Sequence, residues 1–172
     1  MANTYTLIDK SILTGNQASV SFTGLGSYSS DYTDLLVRVA GRTDRSAKLD
    51  YIKISFNGVT TNLSSRRLYA FGTSVGSDTP STSIQAQANA ANNTANTFGN
   101  VDFYIPNYSS SNYKSVSVDG VIEDNSTADN DMALSAGLWS STSAITSIQI
   151  TPNVGPNFVS GSSFYLYGIS NS

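Results

Sequence analysis

The side chains that could do chemistry in this chain are mainly carboxylates, because it contains no histidine and no cysteine. The densest acidic group follows the last basic residue and comprises Asp119, Glu123, Asp124, Asp129 and Asp131. Such a cluster could bind Ca²⁺, which takes several carboxylate and carbonyl oxygens. The glycine and terminal glutamate of an EF-hand loop are missing from their required positions. We therefore expect a solvated turn between two strands and no metal site.

Catalysis is not expected from these residues. Without histidine a Ser-His-Asp arrangement cannot form within one chain, and no motif pairs a serine with a lysine. A glycosidase would need two carboxylates facing each other across a cleft, and nothing in the sequence places two acids in that way. We expect no enzymatic activity and no cofactor.

The first three arginines lie in and just after an apolar run. Arg38 is predicted to point to the polar face of a strand, whereas Arg42 and Arg45 fall in the following turn with Asp44 as a local partner. Arginine forks suit carboxylates at interfaces. Exposed solubilising charge and an interface role both remain open for these side chains.

The sequence around a second arginine group indicates a contact with a partner. Arg66 and Arg67 are adjacent, and apolar and aromatic residues follow them directly. Arginine and aromatic residues are enriched at interface hot spots. Because most acids of the chain are assigned to other loops, we predict carboxylate partners on another chain. The predicted partner contact consists of Arg66, Arg67, Leu68, Tyr69 and Phe71. Trp139 is interpreted as core packing rather than as a sugar platform.

Composition narrows the class of protein. The 172 residues fit one domain spanning 1–172, and only 12% of them are charged, with a net charge of −3. No basic stripe suggests nucleic-acid binding, and no apolar run approaches the ~20 residues of a membrane span. The first eight residues lack the features of a secretion signal. We expect synthesis in a cytoplasm.

Short alternating segments indicate an all-β fold. Alternation of apolar and polar residues is clearest in Tyr51–Phe56, which ends at the turn signal Asn57-Gly58. No window shows helical periodicity over three turns. The segments that predict strands are Tyr5–Ile8, Ala18–Phe22, Leu35–Val39, Tyr51–Phe56, Phe98–Ile105, Tyr113–Val118 with an extension to Ile122, Met132–Trp139, Ile145–Ile150 and Phe164–Ile169.

These segments predict a single-domain β-sandwich of eight or nine short antiparallel strands, with a jelly roll as the simplest closure. An immunoglobulin-like sandwich is the alternative. Residues 1–8 are predicted as an N-terminal arm or a first strand. Residues 73–96 are long, polar and nearly uncharged, which predicts a polar loop or an arm that packs on a neighbouring subunit. A short helix over 85–91 is a further option for the alanines there.

Several short motifs occur in an order that resembles a family of small virion structural proteins of tailed bacteriophages. The motifs are Met1–Ile8, Tyr32–Leu35, Phe56–Gly58, Ser64–Tyr69, Thr94–Phe98, Tyr104–Tyr108, Gly137–Trp139 and Leu166–Ile169. The resemblance spans nearly the whole chain. It implies a phage particle component with a jelly-roll-like fold, and it carries no catalytic motif. It leaves open whether the protein sits on the head or the tail.

The leading hypothesis is a capsid decoration, or cement, protein that binds the major capsid protein and stabilises the shell of the virion. We expect a homotrimer, and no binding to nucleic acid or membrane. The alternative is a tail-associated module that binds host carbohydrate through tyrosine, asparagine and Trp139 in loops. An enzyme is the least favoured of the three classes.

Overall fold

The chain forms twelve β-strands and one 3₁₀ turn, described by a computed structural model over residues 4–80, 82–125 and 131–170. The strands are β1 (Tyr5–Ile12), β2 (Val20–Thr23), β3 (Asp34–Gly41), β4 (Leu49–Phe56), β5 (Leu63–Phe71), β6 (Ser74–Asp78), β7 (Ile84–Asn89), β8 (Gly99–Ile105), β9 (Lys114–Ile122), β10 (Asp131–Trp139), β11 (Ser147–Pro152) and β12 (Ser163–Ile169). The 3₁₀ turn spans Leu25–Tyr28. No helix in the described ranges is long and apolar enough to cross a membrane.

The strands form two antiparallel sheets packed face to face, which confirms the predicted β-sandwich. The large sheet has eight strands in the order β1-β12-β3-β8-β9-β10-β5-β6, and the small sheet has four in the order β2-β11-β4-β7. Without the strands β9, β10, β5 and β6, the large sheet has the order β1-β12-β3-β8 and the small sheet the order β2-β11-β4-β7. These are the strand orders of the two sheets of a jelly roll.

Two hairpins are inserted into that jelly roll. Strands β5 and β6 lie between β4 and β7 in the chain, and β9 and β10 lie between β8 and β11. All four add to the same end of the large sheet, where β10 pairs with both β9 and β5. The insertions therefore widen only the large sheet, which is why it has twice as many strands as the small sheet.

The core lies between the two sheets. Its side chains follow the predicted alternation, as in β9, where Val116 and Val118 are buried while Ser115 and Ser117 are exposed. Trp139 is buried, and its ring lies 5.4 Å from that of Phe56 in the small sheet. The interpretation of Trp139 as core packing is confirmed.

The prediction of a loop or arm over 73–96 is wrong. This segment contains β6 and β7, and β7 is buried along most of its length, including Ala86 and Ala88. Small side chains at these positions let the edge of the small sheet approach the large sheet closely. The predicted helix over 85–91 is also wrong, because β7 pairs with β4 instead.

Arg42 holds the end of the same segment. Its buried guanidinium donates hydrogen bonds to the carbonyl oxygens of Thr94, Thr97, Ala91 and Asn93, at 2.6 to 3.1 Å. Burial lowers the pKa of this arginine. Neither of the roles left open for Arg42 is correct, since it fixes residues 91–97 to the core.

The N-terminal segment is a first strand rather than an arm. β1 pairs along its length with β12, with a register shift between Leu7 and Asp9. Residues 1–3 lie outside the described residues. The nine predicted strands all occur, and the three further strands β5, β6 and β7 bring the number to twelve.

Candidate binding face of the large sheet

The outer face of the large sheet carries the strongest candidate site. Its inner face packs on the small sheet, whereas the side chains that alternate with the core point away from the small sheet. Pairing of the strands in register places these side chains in rows across the sheet. The two halves of this face differ in chemistry because one half belongs to the jelly-roll strands and the other to the inserted hairpins.

The inserted half is apolar. One row runs from Val121 through Met132 and Ala70 to Val75, each the direct partner of the next. In the neighbouring row, Leu134 is paired with Leu68. We call Leu68, Val75, Val121, Met132 and Leu134 the apolar patch. Their exposed fractions run from 47% to 84%.

The apolar patch borders two adjoining depressions of the surface. One has a volume of about 840 Å³, with Leu134 and Ala136 on its floor and Tyr104 and Thr79 at opposite sides. The other has a volume of about 430 Å³ and lies between Val75 and Met132. The inserted hairpins therefore present a grooved apolar surface rather than isolated exposed side chains.

The jelly-roll half of the face is aromatic and charged. A depression of about 580 Å³ lies over β1, β12, β3, β8 and β9. We call it the tyrosine groove and define it by Tyr5, Tyr104, Tyr167, Arg38 and Asp102, which all line it. Leu36, Ser117 and Asp119 complete the lining.

Arg38 and Asp102 form a two-pronged ion pair in this groove. Arg38 Nε lies 2.8 Å from Asp102 Oδ1, and Nη2 lies 2.6 Å from Oδ2. The hydrogen bond and charge of Asp102 raise the pKa of Arg38. Asp119 is the direct cross-strand partner of Asp102, so one arginine faces two carboxylates. The prediction that Arg38 points to the polar face is confirmed.

Tyr104 is held in place by a buried carboxylate. Its hydroxyl donates to Asp34 Oδ2 at 2.6 Å, and the other oxygen of Asp34 accepts from the backbone N–H of Asn107 at 2.9 Å. The bond to Asp34 raises the pKa of Tyr104 to about 12, with burial adding to the effect. The ring of Tyr104 thus has a fixed position at the edge of the tyrosine groove.

The structure separates the predicted partner-contact residues onto two faces. Arg66 and Leu68 lie on the outer face, where Arg66 Nη1 donates to Thr79 Oγ1 at 2.7 Å. Arg67 points the other way, is buried, and forms an ion pair with Asp78 of the same chain. The predicted carboxylate partner on another chain is therefore wrong for Arg67.

Tyr69 and Phe71 alternate in the same way as Arg67 and lie on the opposite face from Leu68. Tyr69 is half-buried beneath the guanidinium of Arg67, while Phe71 is exposed at the end of β5. A partner role for Arg66, Leu68, Tyr69 and Phe71 stays a prediction. Of the predicted set, Leu68 belongs to the apolar patch and Arg66 borders it.

The acidic cluster does not converge on one point. Asp119 lies on the outer face of β9, whereas Asp131 is buried on the inner side and accepts a hydrogen bond from Gln87 at 2.6 Å. Asp124 is buried near Thr94, and Asp129 lies outside the described residues. Within the described ranges, no three acidic side chains are grouped so that they could hold a metal ion.

The remaining arginine of the first group has a structural partner. Arg45 lies 3.8 Å from Asp50, which is fully buried. Asp44, the partner predicted from sequence, instead accepts hydrogen bonds from Asn157 at 2.9 and 2.8 Å. The predicted pairing of Arg45 with Asp44 is wrong, because the turn brings Arg45 closer to Asp50 of β4.

Sequence analysis missed the apolar patch as a unit. Its signal was present in β10, where Met132, Leu134 and Leu138 share one face while Ala133 and Trp139 share the other. Apolar residues on both faces of a strand indicate either burial on both sides or an exposed apolar surface. The choice between them requires the strand order.

The comparisons with known proteins bear on the fold alone. No family model matches the chain, and no match is found among the curated proteins. A solved structure of exo-inulinase from Aspergillus awamori is similar to 95% of this chain, with a TM-score of 0.50 and 11% identity. The chain spans 29% of the length of that enzyme chain. At this identity the likeness supports a β-sandwich and carries no statement about activity.

Proposed function

We propose that the chain is a structural protein of a tailed-phage virion that decorates the capsid. In this proposal the apolar patch docks on the major capsid protein and stabilises the shell. The virion assignment rests on the order of motifs that resemble small phage structural proteins. The observation that carries the docking role is the contiguity of the apolar patch across four paired strands.

Contiguity matters because single exposed apolar side chains are normal on a soluble protein. Patches of several hundred Å² are the ones that mark interaction sites. Here Leu68 and Leu134 are directly paired, and the row from Val121 to Val75 adjoins them. Hydrogen bonding between the strands fixes the spacing of these residues, so no backbone has to become ordered when a partner covers them.

The position of the patch also fits a docking role. It lies on the two inserted hairpins, which the jelly-roll strands hold at the end of the large sheet. Arg66 borders it and has its own hydrogen bond to Thr79. A protein partner would cover an apolar centre with a polar edge, which is the usual anatomy of an interface. The proposal includes the homotrimer expected from sequence.

The test is loading of purified protein onto shells that lack it. We expect the double variant Leu68→Ser with Leu134→Ser to load at least about tenfold more weakly, because hot spots lie in the centre of an interface. Its melting temperature should stay within a few degrees, since both side chains are exposed. Val154→Ser, another exposed apolar residue away from the patch, is the matched control.

The decisive measurements are co-sedimentation with undecorated shells and the temperature at which decorated and undecorated shells dissociate. Equal dissociation temperatures would exclude a cementing role. Antibody labelling of intact particles separates head from tail, and label confined to the tail would overturn the capsid proposal. Sedimentation equilibrium of the free protein tests the homotrimer.

The alternative of a tail-associated carbohydrate module is weakened in the form drawn from sequence. Trp139 is buried against Phe56 and cannot offer a sugar platform. Tail label together with adsorption of the free protein to host cells would favour that alternative over decoration.

A further inference from the structure

We propose that the tyrosine groove is a second binding site and that its ligand is a neutral oligosaccharide. The groove lies on the jelly-roll half of the outer face, beside the apolar patch and separate from its central residues. It differs from the patch because it combines tyrosine rings with a fixed ion pair. Aromatic rings can stack on the C–H faces of a sugar ring, and the ion pair can form hydrogen bonds with its hydroxyl groups.

The tyrosines supply surfaces for stacking. A pyranose or furanose ring has faces of C–H groups, which pack on aromatic rings, and a rim of hydroxyl groups. Tyr5 is 58% exposed on the edge strand β1, and Tyr167 lies on the neighbouring strand β12. Tyr104 stands across the groove with its hydroxyl bound to Asp34, so its ring needs no ordering when a ligand arrives.

The Arg38–Asp102 pair supplies hydrogen bonds in a fixed direction. Each group holds the other in place through two bonds, and the Arg38 side chain remains 54% exposed. Arg38 Nε and Nη2 donate hydrogen bonds to Asp102, and no hydrogen bond from Arg38 Nη1 is present among the described residues. Arg38 can therefore donate to sugar hydroxyls, and the carboxylates of Asp102 and Asp119 can accept from them.

The charge of the groove selects against anions. Arg38 is neutralised by Asp102, and Asp119 adds a further negative charge in the next strand. A phosphate or a sulfated or sialylated glycan would meet a net negative surface. A neutral sugar meets no such penalty, and it can use both donor and acceptor groups. The volume of about 580 Å³ suits a short segment of a glycan chain rather than a single buried molecule.

The test is binding of the free protein to a printed array of neutral gluco-, galacto-, manno- and xylo-oligosaccharides, with sialylated and sulfated glycans on the same slide. We expect retention on neutral glycans only. Tyr5→Ala and Tyr167→Ala should each weaken that binding by about tenfold, in line with losses at aromatic contacts. The control is Tyr113→Ala, since Tyr113 is equally exposed but does not line the groove.

Saturation-transfer NMR with the best array glycan provides a second readout that does not depend on surface attachment. Tyr5 lies on an exposed edge strand, so Tyr5→Ala keeps the test valid even where Tyr167→Ala is poorly folded. No binding to any neutral glycan, binding to acidic glycans alone, or equal losses in the Tyr113→Ala control would overturn the proposal. Because no shells are used, failure here is distinguishable from failure of capsid decoration.

Discussion

The guanidinium of Arg67 in β5 lies 4.5 Å from the centroid of the Tyr51 ring in β4. Tyr51 pairs with Gln87 on the side of the small sheet that points away from the core. The inserted hairpin therefore wraps around β7, the edge strand of the small sheet, and contacts its outer surface. The centroid of the Tyr69 ring lies 5.3 Å from the same guanidinium. Asp78 Oδ1 accepts a hydrogen bond from Arg67 Nε at 3.0 Å. Arg67 joins the two sheets at this end of the sandwich.

Removal of Arg67 should therefore destabilise the fold. We expect Arg67→Ala to lower the free energy of unfolding by about 2–3 kcal/mol, because the cation–π contact and the partly buried ion pair with Asp78 are both lost. Arg66→Ala should change it by no more than about 0.5 kcal/mol, because Arg66 is exposed. Urea unfolding followed by tryptophan fluorescence measures both. Equal effects of the two substitutions would contradict the assignment of faces.

The contrast between these neighbours shows what sequence could and could not provide. Adjacent residues in a strand point to opposite faces, so a strand at β5 would have placed one arginine inside. The run Ser64-Ser65-Arg66-Arg67 lacks the apolar alternation that identified the other strands. The ion-pair partner of Arg67, Asp78, lies in the segment 73–96, which the sequence predicts to be a loop or an arm. Both errors have one cause, which is that β5 and β7 are fixed by pairing with the distant strands β10 and β4, while β6 is fixed only by its pairing with β5.

The buried carboxyl of Asp131 has a pKa above its ordinary value. Burial raises the pKa of its carboxyl, and the hydrogen bond from Gln87 and the charge of Arg67 offset this only in part. The folded state thus binds the proton more tightly than the unfolded chain. The stability that this contributes is fully present below the unfolded pKa and is lost as the pH rises through the folded pKa. At neutral pH the buried charge is a cost.

We therefore expect Asp131→Asn to raise the melting temperature at about pH 7 by a few degrees. The new amide can still accept from Gln87 Nε2, and it can donate to Gln87 Oε1, which has no partner in the described part of the chain. At about pH 3, where the carboxyl is protonated in both states, the difference should vanish. Thermal melts across this range measure it, and a lower melting temperature at neutral pH would refute the sign.

The binding face illustrates a different limit of the sequence. The side chains of this face on β3, β8, β9 and β10 could be assigned to a strand face from alternation alone, as Arg38 was, whereas those on β5 and β6 could not. Their grouping depends on the order β3-β8-β9-β10-β5, which places Leu134 beside Leu68 although the two are far apart in the chain. The insertion of hairpins on one sheet fixes that order. No local pattern reports where an inserted hairpin will pair.

A close contact between Gly168 and Tyr32 supports the end of the core beside β12. A methyl group built on Gly168 would lie 2.4 Å from Cγ and Cδ2 of the Tyr32 ring. Tyr32 follows the 3₁₀ turn, and the next residue, Thr33, donates its N–H to Ile169 O at 3.0 Å. The ring is thus held directly above the strand, and the absence of a side chain at position 168 is what permits it.

Gly168→Ala should consequently cost about 1–3 kcal/mol of unfolding free energy, the usual range for overpacking a well-filled site. Combining it with Tyr32→Ala should remove most of that cost, because the ring that clashes is gone. The double-mutant cycle isolates this coupling. Gly15→Ala is the control, since no atom lies within 4 Å of a methyl group there. Additive losses from Gly168→Ala and Tyr32→Ala in urea unfolding would show that the strain arises from another neighbour of β12.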